Sequence, residues 1–449
     1  MTSDSLSSKE FKGNIMTSST EQHGLDEEFE HKPVPLSHRH RLSAVAAVWF
    51  GFPMIITNAV FGGVIAYNLG FSRALFAILM GNAILLTYVG TLSFIAGSTG
   101  RNFALQAERT FGKKGYAITS GFLASVVVGW YAFQTGLTGT TVHTSFGWNE
   151  TATIVGATLL YTAVTFIGIR ALSIVGMIAA PLYVLLGLIA LYMIGSEHAL
   201  TAVSGYEGLG VNSLMSFGGA VTLVVATFAD SGTMTADFTR WSKDGKSAVY
   251  ATLTAFPFAN MIAQLFGILI VCAGAATAPA TQGGNFMSVL TSHGGVLSGI
   301  ALIFVFVNLG SVCTHCLYNG AIGWGRIAGR KMRTMTIVLG LLGGLLAAAG
   351  VWSLFLNWLN LLGVLVPPIG AVIIVDQLLV RHYSYDDDLP NFRGSAFAAW
   401  ALGALAALLV HAMAPWFSEA VAGMLVGAAA YYALSQGARR EVRQRNELL

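Results

Sequence analysis

Charge is what this chain has least of. Asp, Glu, Lys and Arg make up 10% of its 449 residues, against roughly 25% in soluble globular proteins. So little charge cannot clothe a water-exposed surface of this size. The net charge of +3 gives no basic footprint for nucleic acid. Cysteine is scarce as well: Cys272, Cys313 and Cys316 all lie in apolar segments, which excludes a disulfide framework. Cys313 and Cys316 form a C-x2-C, but no second ligand pair accompanies them, and two small buried residues are the simpler reading than a metal site. No HExxH, no GxSxG and no paired carboxylates at depth occur, so the sequence does not read as an enzyme.

Basic residues are also missing from every second loop. Arg101, Arg109, Lys113 and Lys114, then Arg170, then Arg240, Lys243 and Lys246, then Arg326, Arg330, Lys331 and Arg333, and finally Arg381 and Arg393 fall on alternate connections between long apolar stretches. The intervening loops near 143–152, 196–212, 276–294 and 414–416 carry no Lys or Arg, and Arg73 is the one exception. This asymmetry is that of a polytopic membrane protein, with the basic loops and both termini in the cytoplasm.

What is present is apolar length. Windows beyond the roughly 18 residues needed to cross a bilayer core recur along the chain. We read twelve spans, at 43–68, 72–97, 116–141, 152–169, 172–195, 213–240, 248–275, 295–323, 334–351, 354–380, 395–413 and 416–435. The expected fold class is therefore an all-α membrane protein with 12 transmembrane helices. Residues 1–40 read as a disordered cytoplasmic tail, 41–438 as the transmembrane domain and 439–449 as a second cytoplasmic tail. The 52 glycines suit close helix packing in lipid.

Two spans carry interruptions. The first has Gly51-Phe52-Pro53 followed by Thr57 and Asn58, and the sixth has Thr227-Phe228-Ala229-Asp230-Ser231-Gly232. Proline cannot donate a helix hydrogen bond, and unwound backbone at depth is tolerated only where it is buried or lines a cavity. The two spans correspond if the chain divides into two five-helix halves, 43–195 and 213–380, with 395–435 as two extra helices. Because five is odd, the second half enters the membrane inverted, and paired interruptions in inverted repeats point to a transporter's binding site.

Polar residues at depth are the functional candidates. Asp230 sits at the expected break of the sixth span, where it can accept from a heterocycle's N–H or carry a proton. His315 in the eighth span is a core histidine or part of a proton path. Trp130 and Gln134 lie four residues apart on one helix face, and an indole beside a carboxamide suits a flat, hydrogen-bonding ring. Asn308 and Ser311, three apart, share a face of the eighth span. Asp237, three residues before Arg240, is read as a structural ion pair.

With these residues in place, the chain resembles the nucleobase:cation symporter-1 (purine–cytosine permease) family, most of all its cytosine permease branch. The resemblance is carried by Ser231-Gly232-Thr233-Met234-Thr235-Ala236-Asp237-Phe238-Thr239-Arg240, by Val366-Pro367-Pro368 through Asp376, by Gly129-Trp130, by Met80-Gly81-Asn82 and by Cys316-Leu317-Tyr318. It implies a LeuT-like fold of two inverted five-helix repeats plus two C-terminal helices. It also implies a substrate site at Trp130, Thr227, Phe228, Asp230 and Asn308, and a Na+ site at Gly51, Met54 and Ser311. Three departures stand out. Val312 replaces the second hydroxyl of the helix-eight pair. Val127 replaces a glutamine that cytosine permeases carry, with Gln134 four residues after the tryptophan instead. Asp230 replaces a serine. The implied activity is uptake of a nucleobase-like small molecule across the cell membrane by symport with Na+ or H+, with no other cofactor. The other classes are an ion channel, for which no selectivity-filter repeat is seen, and a non-transporting sensor, for which the tails are short.

Overall fold

The structure is a computed structural model that describes residues 27–197, 200–276, 278–292, 294–383 and 388–437. Proline, glycine and polar residues decide where its helices stop. The first span divides into α1 (Leu42–Gly51) and α2 (Ile56–Leu69), bent by 54° to each other. Between them Phe52 closes a tight turn on Trp49 O, and Ile55 is extended. The Pro53 carbonyl, left without a helical partner, accepts from Ile55 N at 2.9 Å and from the Asn58 amide at 2.6 Å.

Long continuous helices follow: α3 (Phe71–Thr99), the short α4 (Phe103–Phe111), α5 (Tyr116–Phe146), α6 (Glu150–Ile167) and α7 (Ile169–Glu197). The sixth span is broken twice, into α8 (Phe217–Ala226), α9 (Ala229–Thr233) and α10 (Ala236–Thr239). Phe228 lies outside helical geometry at the first break, and Met234 caps the second. The next elements are α11 (Gly245–Leu253), α12 (Asn260–Cys272), α13 (Met287–Thr291), α14 (Gly295–Ala328) and α15 (Met332–Ala348). A turn at Gly350 then leads to α16 (Phe355–Leu365) and α17 (Pro367–Ile374). The turn falls inside the stretch 334–380, between α15 and α16. The chain closes with α18 (Gly394–Met413) and α19 (Glu419–Leu434). Among the described residues eight helical stretches are long and apolar enough to cross a membrane, and the bent α1–α2 pair makes a ninth.

Packing of α2 on α12 is set by backbone. A Cβ on Gly62 would lie 2.0 Å from Gln264 O, and one on Gly267 would lie 1.9 Å from Ala59 O. At such contact only glycine fits, and the breaks of the first span are thereby fixed against a neighbouring helix.

The N-terminal segment departs from expectation. From Glu28 to Val34 it packs against the helix ends that carry most of the Lys and Arg, whereas a disordered tail was expected up to residue 40. Glu28, Phe29 and Val34 are buried. Glu28 Oε2 accepts from the Tyr318 hydroxyl at 2.7 Å and Oε1 from Ile169 N at 3.1 Å. The fully buried Arg240 donates to Glu28 O at 2.7 Å and Phe29 O at 2.8 Å. Asn102 donates to Glu30 O at 2.8 Å. Arg240 therefore pairs with this backbone, while Asp237 Oδ1 accepts from Phe103 N at 2.9 Å. The Glu28 carboxylate, which looks solvated in sequence, accepts from buried donors of α7 and α14, and the Glu28 and Phe29 carbonyls accept from Arg240 just after α10. The remainder of the expected tails, residues 1–26 and 438–449, lies outside the described residues.

Candidate functional site

The two helix interruptions meet. Phe52 of the first packs edge-on to Phe228 of the second, with ring centroids 5.4 Å apart, and a cavity opens beside them. The first break supplies Phe52 and Ile55 to its wall, and the start of α2 adds Thr57, Asn58 and Phe61. The sixth span supplies Thr227, Phe228 and Ser231; α5 supplies Trp130; α14 supplies Val312 and Cys316. The free volume is about 10 Å³, near the least that admits one water. A ring enters only after these walls part.

Of the residues singled out in sequence, Trp130, Thr227 and Phe228 line this cavity. Gln134 and Asp230 stand directly behind the wall, both fully buried. Gln134 Oε1 accepts from the Thr57 hydroxyl at 3.0 Å, and its Nε2 has no hydrogen-bond partner. Asp230 Oδ1 accepts from Ser231 N at 2.7 Å, and its Oδ2 has none. The Trp130 indole and the Ser231 hydroxyl are further neighbours of that carboxyl. Buried polar atoms are rarely left unpaired. The unsatisfied Gln134 amide donor, and the Asp230 carboxyl beside the indole, are groups that a bound polar ring would engage.

Asn308 is placed differently. It is fully buried, and its carboxamide spans the gap in the first helix: Nδ2 donates to Met54 O at 2.6 Å and Oδ1 accepts from Ile56 N at 2.9 Å. Ser311 Oγ donates to Gly51 O at 3.3 Å. His315 lies one turn on, with Nδ1 2.5 Å from Ser311 O and Nε2 3.0 Å from Val48 O, its ring stacked on Phe52 at 4.7 Å. One face of α14 thus holds the whole broken stretch of the first span.

This bears on a cation site. Na+ is a hard ion that needs converging oxygens. Here the Gly51 and Met54 carbonyls each meet a side-chain donor, an amide N–H points at the second, and Val312 contributes no oxygen. As arranged, these residues do not fit Na+.

Lining residues that sequence reasoning did not assign to the site are Phe52, Ile55, Thr57, Asn58, Phe61, Ser231 and Cys316. The polar pair Thr57-Asn58 beside Pro53, and the polar run at 227–232 that holds Ser231, are the signals that pointed to part of this set.

The family model described as "permease for cytosine/purines, uracil, thiamine, allantoin" matches residues 33–435. The cytosine permease of Escherichia coli (strain K12) is 30% identical over 362 residues, covering 79% of this chain and 82% of the relative. The hydantoin permease of Microbacterium maritypicum is 25% identical over 398 residues, covering 83% and 79%. Among solved structures, Mhp1, a nucleobase-cation-symport-1 family transporter in a closed conformation with bromovinylhydantoin bound, superposes with a TM-score of 0.73 at 20% identity. That match covers 92% of this chain and 95% of that one. A Na+-coupled sialic acid symporter in a substrate-bound outward-open state has the same fold, with a TM-score of 0.66 at 13% identity. The chain is a multi-pass membrane transport protein, not an enzyme, and it belongs to the family of permeases for cytosine and purines, uracil, thiamine and allantoin.

Proposed function

We propose that this protein takes up a nucleobase or related planar heterocycle, of the cytosine, purine or hydantoin kind, by cation symport through alternating access. One observation carries the site assignment: residues of two helix breaks line one cavity with Trp130, with the Asp230 carboxyl beside the indole and the unpaired Gln134 Nε2 behind the wall. Trp130 and Phe228 sandwich the ring, while Gln134 and Asp230 read an edge that offers an acceptor beside an N–H. Thr227 adds a wall contact. Asn308 acts by holding the Met54–Ile56 gap at the side of the cavity. The relatives named for cytosine and hydantoin support this substrate class.

The twelve-span reading, with inverted repeats 43–195 and 213–380 and helices 395–435 added, supplies the rocking elements. Both termini lie in the cytoplasm and the protein sits in the cell membrane, on the strength of the loop charges.

For the coupling ion we favour H+. Asp230 is fully buried, and no ion pair among the described residues includes it; an unpaired carboxylate at this depth is costly unless it carries a proton. Proton uptake there, next to Trp130, ties ring binding to the ion. His315 is the second proton candidate. Na+ at Gly51, Met54 and Ser311 requires Asn308 to release the Met54 carbonyl first.

The test is uptake of labelled cytosine, hypoxanthine and hydantoin into proteoliposomes, with Na+ and proton gradients imposed separately. A saturable accumulation driven by the proton gradient in sodium-free buffer, and lost in Asp230→Asn, is expected. Accumulation driven by Na+ alone and undiminished in that variant refutes proton coupling. No saturable uptake of any of the three contradicts the substrate class.

A further inference from the structure

The polarity of the Gln134 carboxamide is set from the first span. A helical threonine hydroxyl ordinarily donates to a carbonyl three or four residues back. For Thr57 those acceptors are Met54 O and Pro53 O. Pro53 O already accepts from Ile55 N and from the Asn58 amide, and Met54 O accepts from Asn308 Nδ2 at 2.6 Å. Pro53 O thus has both lone pairs used, and the Thr57 hydroxyl, instead of joining Asn308 on Met54 O, reaches across to α5 and donates to Gln134 Oε1 at 3.0 Å.

That contact has a chemical consequence. A carboxamide turned through 180° would put its NH2 against the Thr57 oxygen. The hydroxyl would then lose the one acceptor it has among the described residues, in a residue only 4% exposed. The hydroxyl therefore selects the orientation in which Oε1 faces Thr57 and Nε2, without a partner, is left to a ligand. Thr57 itself lines the cavity, so this selection is made within reach of a bound ring.

We propose that Thr57 is a positioning residue for specificity: by holding the Gln134 amide, it makes the site select rings that present a carbonyl oxygen, and discriminate against rings with an amino group in its place. This rests on the assignment of Trp130 and Gln134 to the binding site. A buried donor left facing another donor is unsatisfied, which is why sites of this kind reject the wrong hydrogen-bonding group. Without Thr57 the amide is free to turn, and its oxygen can accept from an amino group.

The experiment measures binding to the purified full-length protein of two ligand pairs in which an oxo group beside a ring N–H gives way to an amino group beside a ring-nitrogen acceptor, hypoxanthine against adenine and cytosine against 2,4-diaminopyrimidine. The readout is the change in each ratio on mutating Thr57, which leaves the Asp230 contact alone. Wild-type protein should favour the oxo member of each pair it binds. Thr57→Val should shrink that preference by about tenfold, and Thr57→Ser, which keeps the hydroxyl, should restore it. Thr57→Ala carries the same expectation should the valine variant fail to fold. A wild-type preference retained in Thr57→Val or Thr57→Ala overturns the role of Thr57. Trp130→Ala, measured alongside, separates the two levels: weakened binding there with an unchanged Thr57→Val ratio refutes this inference alone, whereas unchanged binding in Trp130→Ala refutes the site assignment beneath it. Wild-type protein that binds neither pair, or prefers the amino members, contradicts the inference outright.

Discussion

Asn308 and Met54 are 254 positions apart in sequence and 2.6 Å apart in the fold, joined by the Asn308 amide donating to the Met54 carbonyl. The same side chain accepts from Ile56 N at 2.9 Å, so one carboxamide substitutes for the helical bonds that Pro53 and its turn remove. Asn308→Ala leaves a carbonyl and an N–H unpaired in a buried setting, each costing about 1–3 kcal/mol. A clear drop in melting temperature of the purified protein is expected, and Asn308→Asp, which keeps the acceptor, should fall between. A melting temperature unchanged in Asn308→Ala would show that the gap is held by other means.

Glycine packing gives a second expectation. Gly267→Ala places a methyl 1.9 Å from Ala59 O, against backbone that cannot swing aside. Overpacking of this kind typically costs about 1–3 kcal/mol, and more where backbone must move. Gly156 on α6 has nothing within 4 Å of its would-be Cβ, so Gly156→Ala should be neutral or slightly stabilising, since alanine is the better helix former. Thermal unfolding of the two variants side by side checks this; equal stability of both would contradict the α2–α12 contact.

The Arg240 contacts make the N-terminal segment an integral part of the fold. Arg240→Met removes charge-assisted hydrogen bonds to Glu28 O and Phe29 O, worth about 1.5–3 kcal/mol each. The segment should loosen. The Val34 amide, which donates to Gly100 O at 2.8 Å, reports it: hydrogen exchange over residues 28–34 should speed up in the variant. Exchange as slow as in wild type would mean that Arg240 does not hold the segment.

Features that depend on local chemistry were legible in the sequence. Pro53 with its neighbours marked the first break, and the polar run at 227–232 marked the sixth-span break. The i, i+4 spacing of Trp130 and Gln134 put them on one face of α5, where Trp130 lines the cavity and Gln134 meets Thr57 behind its wall. Features that depend on which distant group arrives were not legible. Asn308 is a polar residue on a helix face in sequence, and only the approach of the first break decides that its carboxamide goes to Met54 and Ile56. Glu28 and Glu30 look like solvated tail residues until Arg240, Tyr318 and Asn102 converge on that stretch. Thr57 was visible only as half of the polar pair beside Pro53; that its hydroxyl goes to Gln134 depends on α5 arriving there.

The central claim, that the ring binds on Trp130 between the two helix breaks, is tested most directly by equilibrium binding of a labelled nucleobase to purified wild type and Trp130→Ala. Base–aromatic stacking is worth about 1–3 kcal/mol, so the affinity should fall by about tenfold to a hundredfold in a variant that remains folded. An affinity equal to that of wild type would contradict the account.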